Sequence, residues 1–421
     1  MRVQPDRIDA MEVYLVGGAV RDELLGLPVK ERDWCVVGAT PDELVQQGYR
    51  PVGKDFPVFI HPQSGEEYAL ARTERKTSAG YHGFSFHTSP EVTIAEDLGR
   101  RDLTVNAMAR DSAGNLIDPF NGSADIAAKR LRHVSTAFAE DPVRILRAAK
   151  FAARFHDLGF RIADETVQLM RQMVTNGEAD ALVPDRVWKE TEAALAGPDP
   201  RVYFEALREC GALAVLFAEI DALFGVPQPA KWHPEIDTGL HTMMVLEQAA
   251  KLSDDVDVRF AALVHDLGKA TTPKNELPSH KGHELRSAKL VKSFAKRLPV
   301  PNACRDLGCL VAEYHAHCHR AFELRPETIL RVLDRADAFR RPERFERFLL
   351  ACEADSRGRT GLENDPYPQA DYFRAAFAAA KNVAIDDLTN AGLSGADIGR
   401  EIHSRRLQAI TQFKRVQEPP K

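Results

Sequence analysis

Glu31 and Asp33 stand two positions apart near the end of the stretch LVGGAVRDELLGLPVKERDWCVVG, Leu15 to Gly38. If RDWCVV is a strand, its period of two puts both carboxylates on one face. Two hard oxygen donors side by side suit Mg²⁺, which binds through one or two carboxylates plus substrate phosphates. Such a metal pair can activate an attacking hydroxyl and neutralise a leaving pyrophosphate. Just upstream, EVYLV, GG and AVRDELLG read as strand, tight turn and helix. Glycines there allow the backbone to approach a ligand, and the helix start offers free N–H groups to a phosphate. Gly18 and Arg21 are therefore expected to face that phosphate.

A second set of residues has different chemistry. DTGLHTMMVLEQAA supplies His241, RFAALVHDLGKA supplies His265 and Asp266, and HKGHELRSAKLV supplies His283. AEYHAHCHRAF adds His315, with His317 and His319 close by, and LDRADAF adds Asp337. Imidazoles and carboxylates drawn from several helices suit a transition metal better than Mg²⁺. Spacing alone leaves open which imidazole of HAHCH points inward.

The first set, GGAVRD followed by ERDW, resembles the signature of the nucleotidyltransferase superfamily that includes bacterial CCA-adding enzymes and poly(A) polymerases. That family usually carries Asp-x-Asp, and this chain has Glu31 in the first place. RRDLTVNAM resembles the family's Arg-Arg-Asp segment, which implies that Arg101 reaches nucleotide phosphate or ribose while Asp102 and Asn106 organise the site. EDPVRILRAAKF resembles its E-D-x-x-R motif. Asp141 before Pro142 also makes a good helix N-cap. With Arg144 one turn along, a carboxylate acceptor and a guanidinium donor can together meet a base edge. The resemblance implies that Asp141 and Arg144 read the incoming base and that Arg147 and Lys150 hold the triphosphate. In the second set, H…HD…D over His241, His265, Asp266 and Asp337 resembles an HD phosphohydrolase domain, with His283 and His315 carried over from the same family. Such domains polarise a phosphate ester and activate a metal-bound water, with Ni²⁺ among the candidate metals.

These residues need two kinds of scaffold. Short β-rich runs (EVYLV, DWCVVG, FPVFI, EYALAR) with Gly/Pro turns and one helix after Gly18 predict an α+β head, a mixed sheet with helices, up to about Phe120. From about Asp141 the pattern is almost wholly helical, predicting an all-α body that includes the HD domain. The expected domains are a head over residues 1–139, a helical nucleotide- and RNA-binding domain over 140–230, the HD domain over 231–340 and a helical tail over 341–421. Turn-rich joints fall at Gly197–Arg201, Gly225–Glu235 and Glu363–Gln369. TERKTSAGYHGFSF, Thr73 to Phe86, reads as a mobile loop, and residues 1–10 as a dispensable extension.

Composition sets limits. A formal net charge of −6 excludes a uniformly basic nucleic-acid binder. Residues 97–154 nonetheless carry ten Lys/Arg against seven Asp/Glu, and 391–421 carry six against three, a modest phosphate-tracking enrichment. Six cysteines without a C-x-x-C pair read as reduced thiols. No apolar leader and no run of about 18 apolar residues is present, so a cytoplasmic protein with no membrane partner is expected.

The resemblance extends from about Val13 to Arg415 and implies a tRNA nucleotidyltransferase that uses CTP and ATP with Mg²⁺. It further implies phosphatase, 2′-nucleotidase and 2′,3′-cyclic phosphodiesterase activities at the HD site. The alternatives are a poly(A) polymerase, an HD nucleotide hydrolase with a sensing head, and a non-catalytic tRNA-binding protein. Monomer and dimer are both left open.

Overall fold

The computed structural model describes residues 11–52, 58–76, 84–384 and 394–416. These form two compact units, one reaching to Thr191 and including Val202–Leu216, the other comprising Glu192–Arg201 and Phe217 onward. The first ten residues and the tip of the Thr73–Phe86 stretch lie outside the described residues.

The first unit is built on a seven-stranded mixed sheet. Its strands are β1 (Glu12–Val16), β2 (Asp33–Val37), β3 (Arg50–Val52), β4 (Val58–Ile60) and β5 (Glu67–Leu70), followed after a separate ladder by β8 (Ala109–Arg110) and β9 (Leu116–Ile117). The order is β3-β4-β5-β2-β1-β8-β9. The separate ladder pairs β6 (Arg72–Lys76) with β7 (Phe84–Thr88), so much of the expected mobile loop is strand. Helices α1 (Gly18–Leu24), α2 (Pro41–Gln46), α3 (Ile94–Gly99), α4 (Gly122–Ala127) and α5 (Val143–Arg154) follow the order of the chain.

The apolar run WCVV reflects burial on both faces of β2. Cys35 joins Tyr14, Val16 and Leu98 on one side, while Val36 joins Leu44, Phe59 and Tyr68 on the other. A central strand covered twice reads as continuous rather than alternating. Cys35 is so enclosed that burial pushes its thiol up to about 12. Both α2 and α3 begin with capping boxes, Thr40 with Glu43 and Thr93 with Glu96, which satisfy free N–H groups at the helix starts.

The second unit is helical. Its core gathers Val258, Leu310, Val311, Leu330, Phe345, Phe348 and Phe373 from several helices. Arg259, although charged, is fully buried there; its guanidinium donates to the carbonyls of Leu195, Gly197, Ser253 and Ala250, which satisfies it. All six cysteines are free. Among the described residues no helix is long and apolar enough to cross a membrane.

Candidate functional sites

The head site forms where β1 ends and β2 begins. Antiparallel register pairs Val16 with Asp33, so the Gly17–Gly18 turn and the Glu31–Asp33 pair meet at one end of the sheet. Gly17 sits at φ +71°, and a Cβ there would lie 2.7 Å from Arg101 Nη1. Only glycine lets that guanidinium come so close. The strand starts at Asp33, not at Arg32, so Glu31 lies in the exposed approach to it. Asp33 also reaches solvent, yet its carboxyl is raised above the ordinary range. Desolvation is the main cause, Arg101 opposes it, and Glu31 adds to it. A partly desolvated carboxylate with a second one two residues before it fits a divalent cation of the Mg²⁺ type.

Around this pair runs a chain of charges. Arg21, expected to face a phosphate, is buried. It donates to Asp22 at 2.9 Å and to Asn106, and its guanidinium lies 5.1 and 5.0 Å from the rings of Phe151 and Phe155. The apolar face of α5 demands that packing, which the local strand-turn-helix pattern does not reveal. Asp22 in turn accepts from Arg154 at 3.0 Å, and Asn106 donates to Asp102 at 3.0 Å. Asp102 closes the chain by accepting from Arg147 Nε at 2.7 Å. Burial acts to raise its carboxyl, but Arg147 and Asn106 hold it below the usual range. Arg101 pairs with Asp97 at 3.1 Å.

The base-reading candidates are placed less simply. Helix α5 starts at Val143 with Pro142 as its cap; Asp141, one residue earlier, still accepts from the Val143 N–H at 3.1 Å. Its carboxylate is also held by Arg186, with distances of 3.1 and 2.8 Å. Arg144 donates to the carbonyls of Ala137 and Arg100 at 2.9 and 2.6 Å. Lys150 pairs with Glu190 at 2.5 Å. The helix Pro184–Leu195 thus supplies two partners, Arg186 and Glu190, that sequence reasoning did not single out.

The second unit brings most of the histidines together. His241 comes from the helix Thr238–Leu252, His265 and Asp266 from the end of Val256–Val264, His283 from the first turn of His283–Arg297, and His315 from Asn302–His319. Asp337 does not join them. It sits at φ +57° past the end of its helix, and its carboxylate pairs with Arg340 at 2.7 Å and Arg341 at 3.3 Å. Its place is taken by Asp355 from the helix Pro342–Arg357. Asp355 Oδ1 lies 3.0 Å from His241 Nε2 and 3.6 Å from His265 Nε2.

Two triads result, His241–His265–Asp355 and Asp266–His283–His315, with ligand atoms within 4.8 Å of one another in each. In the second, Asp266 Oδ1 is 3.2 Å from His283 Nε2 and 3.7 Å from His315 Nε2. The outer ring nitrogens are anchored by backbone: His265 Nδ1 on Ala262 O, His283 Nδ1 on His280 O and His315 Nδ1 on Val311 O. That arrangement turns each Nε2 inward, as metal-binding imidazoles require. His265 Nε2 and Asp266 Oδ1 are buried with no hydrogen-bond partner among the described residues. Orphaned donor atoms on a mixed nitrogen and oxygen set fit a transition metal.

The electrostatics agree. Burial pulls His315 down to about 3, leaving it neutral. At His265 burial is outweighed by Asp266 and Asp355, which push the ring up to about 10, so these carboxylates hold positive charge at this spot. Lys269 Nζ lies 2.6 Å from Asp266. Of the HAHCH cluster, His315 and His319 point inward; His319 reaches Asp355 at 2.7 Å and Tyr367 at 2.9 Å. His233 and Glu235 were also missed: Glu235 lies 3.0 Å from His241 Nδ1 and 3.1 Å from His233. Their signal was the HPE six to eight residues before His241, and Lys269 was the cation one turn after Asp266. Asp355 has no local signal.

A mixed-sheet head with a carboxylate pair beside a glycine turn, joined to a helical unit with an HD cluster, defines a nucleotidyltransferase fused to an HD domain. Residues 13–132 match the poly A polymerase head domain, 159–224 the probable RNA and SrmB-binding site of polymerase A, and 238–341 the HD domain. The multifunctional CCA protein of Thioalkalivibrio sulfidiphilus (strain HL-EbGR7) is 66% identical over 404 residues, covering 96% of this chain and 99% of that one. The chain belongs to the family of multifunctional CCA proteins, the bacterial CCA-adding nucleotidyltransferases with an HD domain. Its fold is shared with the Bacillus stearothermophilus CCA-adding enzyme in complex with CTP, with a TM-score of 0.63 at 23% identity over 96% of this chain and 89% of that one. It is shared also with a CCA-adding enzyme in complex with ATP, with a TM-score of 0.65 at 19% identity over 97% and 91%.

Proposed function

We propose that this enzyme builds and repairs the CCA end of tRNA in the cytoplasm, using CTP and ATP without a nucleic-acid template. The tRNA 3′ oxygen attacks the α-phosphate, the bond to the β-phosphate breaks, and pyrophosphate leaves. Glu31 and Asp33 would hold Mg²⁺, which when bound supplies activation of the hydroxyl and neutralisation of the phosphates. Arg101, 3.1 Å from Asp97, would meet phosphate or ribose at the Gly17 turn. Asp102, fixed by Asn106 and Arg147, keeps α5 seated on the head. Asp141 and Arg144 choose the base after exchanging their present partners, while Arg147 and Lys150 lie along the triphosphate path.

The HD cluster is read as a metal-dependent phosphohydrolase with phosphatase, 2′-nucleotidase and 2′,3′-cyclic phosphodiesterase activities. His241, His265, Asp266, His283, His315 and Asp355 would hold a transition metal such as Ni²⁺, which when bound supplies a water nucleophile near neutral pH. Lys269 places a fixed cation beside that site.

The observation that carries the transferase reading is the register that sets Asp33 against Val16, joining the carboxylate pair to the glycine turn. The test supplies Mg²⁺, tRNAs lacking CCA, and CTP, ATP or both, and reads product length to one nucleotide. Two C residues with CTP alone and a terminal A only with both is the expected result. A lengthening A-tail from ATP alone would identify a poly(A) polymerase, and no extension would leave only the HD hydrolase.

A further inference from the structure

The loop Val226–Asp237, VPQPAKWHPEID, is tied to the HD cluster at both ends. Its backbone is closed by a bridge between Pro227 and Asp237 and by the Gln228 N–H donating to Ile236 O at 2.7 Å. Gln228 Oε1 accepts from Lys269 Nζ at 2.7 Å, and Lys269 is 2.6 Å from Asp266. At the far end Glu235 holds His241 at 3.0 Å, and the His233 and His241 rings stack edge to face 4.6 Å apart. Ile236 is held at φ +62°, a conformation a β-branched residue adopts only where its surroundings impose it. Such a loop keeps its tip fixed relative to the metal-binding residues.

That tip is Trp232, next in sequence to His233. It is 58% exposed, whereas Trp188 is buried and Trp34 is half-buried. Ile236 and Leu240, both exposed, extend the apolar surface around it. Lys231 Nζ lies 4.6 Å from the centre of the indole. A flat apolar ring with a cation beside it, on a loop tied through Gln228 and Glu235 to the metal-binding cluster, matches one ligand chemistry: an aromatic base carrying a phosphate nearby.

We propose that Trp232 is the platform on which the base of the HD substrate stacks. Among the phosphate esters the HD site takes, it would then favour those with an unpaired base, free or at an RNA end, over a phosphomonoester that has none. The proposal rests on the phosphohydrolase reading of the HD cluster. Lys231 stays beside the indole to meet the phosphate side of the nucleotide, and the His233–Glu235 pair fixes how far the stacked base lies from His241.

The test uses the full-length, Ni²⁺-loaded protein and its Trp232→Ala and Trp232→Phe variants. Rates are compared for adenosine 2′-monophosphate, for glycerol 2-phosphate, which has no base, and for a short single-stranded RNA ending in a 2′,3′-cyclic phosphate. In Trp232→Ala the ratio of kcat/KM for the nucleotide to that for glycerol 2-phosphate falls about 5- to 150-fold, the range of one base–aromatic stack. The fall lies in KM, and Trp232→Phe recovers most of it. An equal change for both substrates, or none, overturns the proposal. A larger fall for the RNA than for the mononucleotide identifies the RNA end as the source of the base, and a larger fall for the mononucleotide identifies the free nucleotide. Binding is read separately by fluorescence: adenosine 2′-monophosphate should give saturable quenching in the wild type that is missing in Trp232→Phe, whether or not the protein hydrolyses anything. Quenching without hydrolysis would overturn the phosphohydrolase reading and keep the stacking site. Hydrolysis without quenching would do the opposite.

Discussion

Asp355 Oδ1 and His241 Nε2 lie 3.0 Å apart, although 114 positions separate them in the chain. The same carboxylate meets His319 at 2.7 Å through its other oxygen, so one side chain from the helix Pro342–Arg357 ties two histidine-bearing helices together. Burial alone would raise this carboxyl, but His265, His319 and His241 hold it well below its ordinary range.

Asp355→Asn should therefore abolish tight metal binding and HD hydrolysis, while Asp337→Asn should leave both within about twofold. Asn tolerates the left-handed backbone at position 337, and the exposed arginine pairs there contribute at most about 1 kcal/mol. Calorimetric titration with Ni²⁺ and phosphatase rates decide the matter; metal binding lost in Asp337→Asn and kept in Asp355→Asn would reverse the assignment.

The two ligand sets are chemically separate. Asp33→Ala is expected to remove nucleotide addition and spare HD hydrolysis, and His265→Ala to do the reverse. Loss of both activities in either variant, with circular dichroism showing a folded protein, would sink the two-site reading.

Glu31 stands where the family usually has Asp, and holding Mg²⁺ requires only a carboxylate there. Glu31→Gln should slow CTP addition about 100-fold or more, the scale of losing one electrostatic stabiliser. Glu31→Asp should stay within about tenfold of the wild type. Single-turnover rates across a Mg²⁺ series make the comparison, and a Glu31→Gln enzyme with unchanged metal dependence would remove Glu31 from the site.

Acid should loosen the head through Asp97. Burial favours its neutral form, yet Arg101 and Arg100 hold the carboxyl below its ordinary value. A depressed folded value contributes stability that is fully present above the unfolded pKa of about 3.9 and is lost as pH falls through the lower folded value. The Tm gap between wild type and Asp97→Asn should therefore be wide at pH 6 and shrink below about pH 4. A gap that stays constant down to pH 2 would show that the ion pairs are not its source.

Gly268 lets the His265–Asp266 turn sit against the helix that carries His283. A Cβ there would fall 2.3 Å from His283 O and 2.6 Å from Ser287 N, both backbone atoms that cannot move aside cheaply. Gly268→Ala should cost about 1–3 kcal/mol by overpacking and weaken Ni²⁺ binding through displacement of His283, with nucleotide addition kept. Unaltered Ni²⁺ affinity would show that His283 does not depend on this contact.

Local order alone determined a large part of this protein. The run EVYLV-GG-AVRDELLG is strand, turn and helix because apolar spacing, glycine and helix formers dictate it within twenty residues. The candidates His241, His283 and His315 each sit on a helix whose pattern is plain, and the pair His265–Asp266 follows directly on another. Contacts between distant elements were decided only in three dimensions. The sequence sets Arg21 in the first turn of its helix, but not that α5 presents Phe151 and Phe155 to its guanidinium. Asp141 and Arg144 look like a ready pair, but the carboxylate has Arg186 as a partner and the guanidinium has backbone carbonyls. Among His315, His317 and His319 the helical turn sends the first and third inward and leaves the second half-exposed. Asp337 continues the expected order yet pairs with its own neighbours, while Asp355, in a stretch with no motif, completes the cluster. A side chain's local period fixes its own element, whereas its partner is fixed by which other helix packs opposite, and that depends on the shape of the whole core.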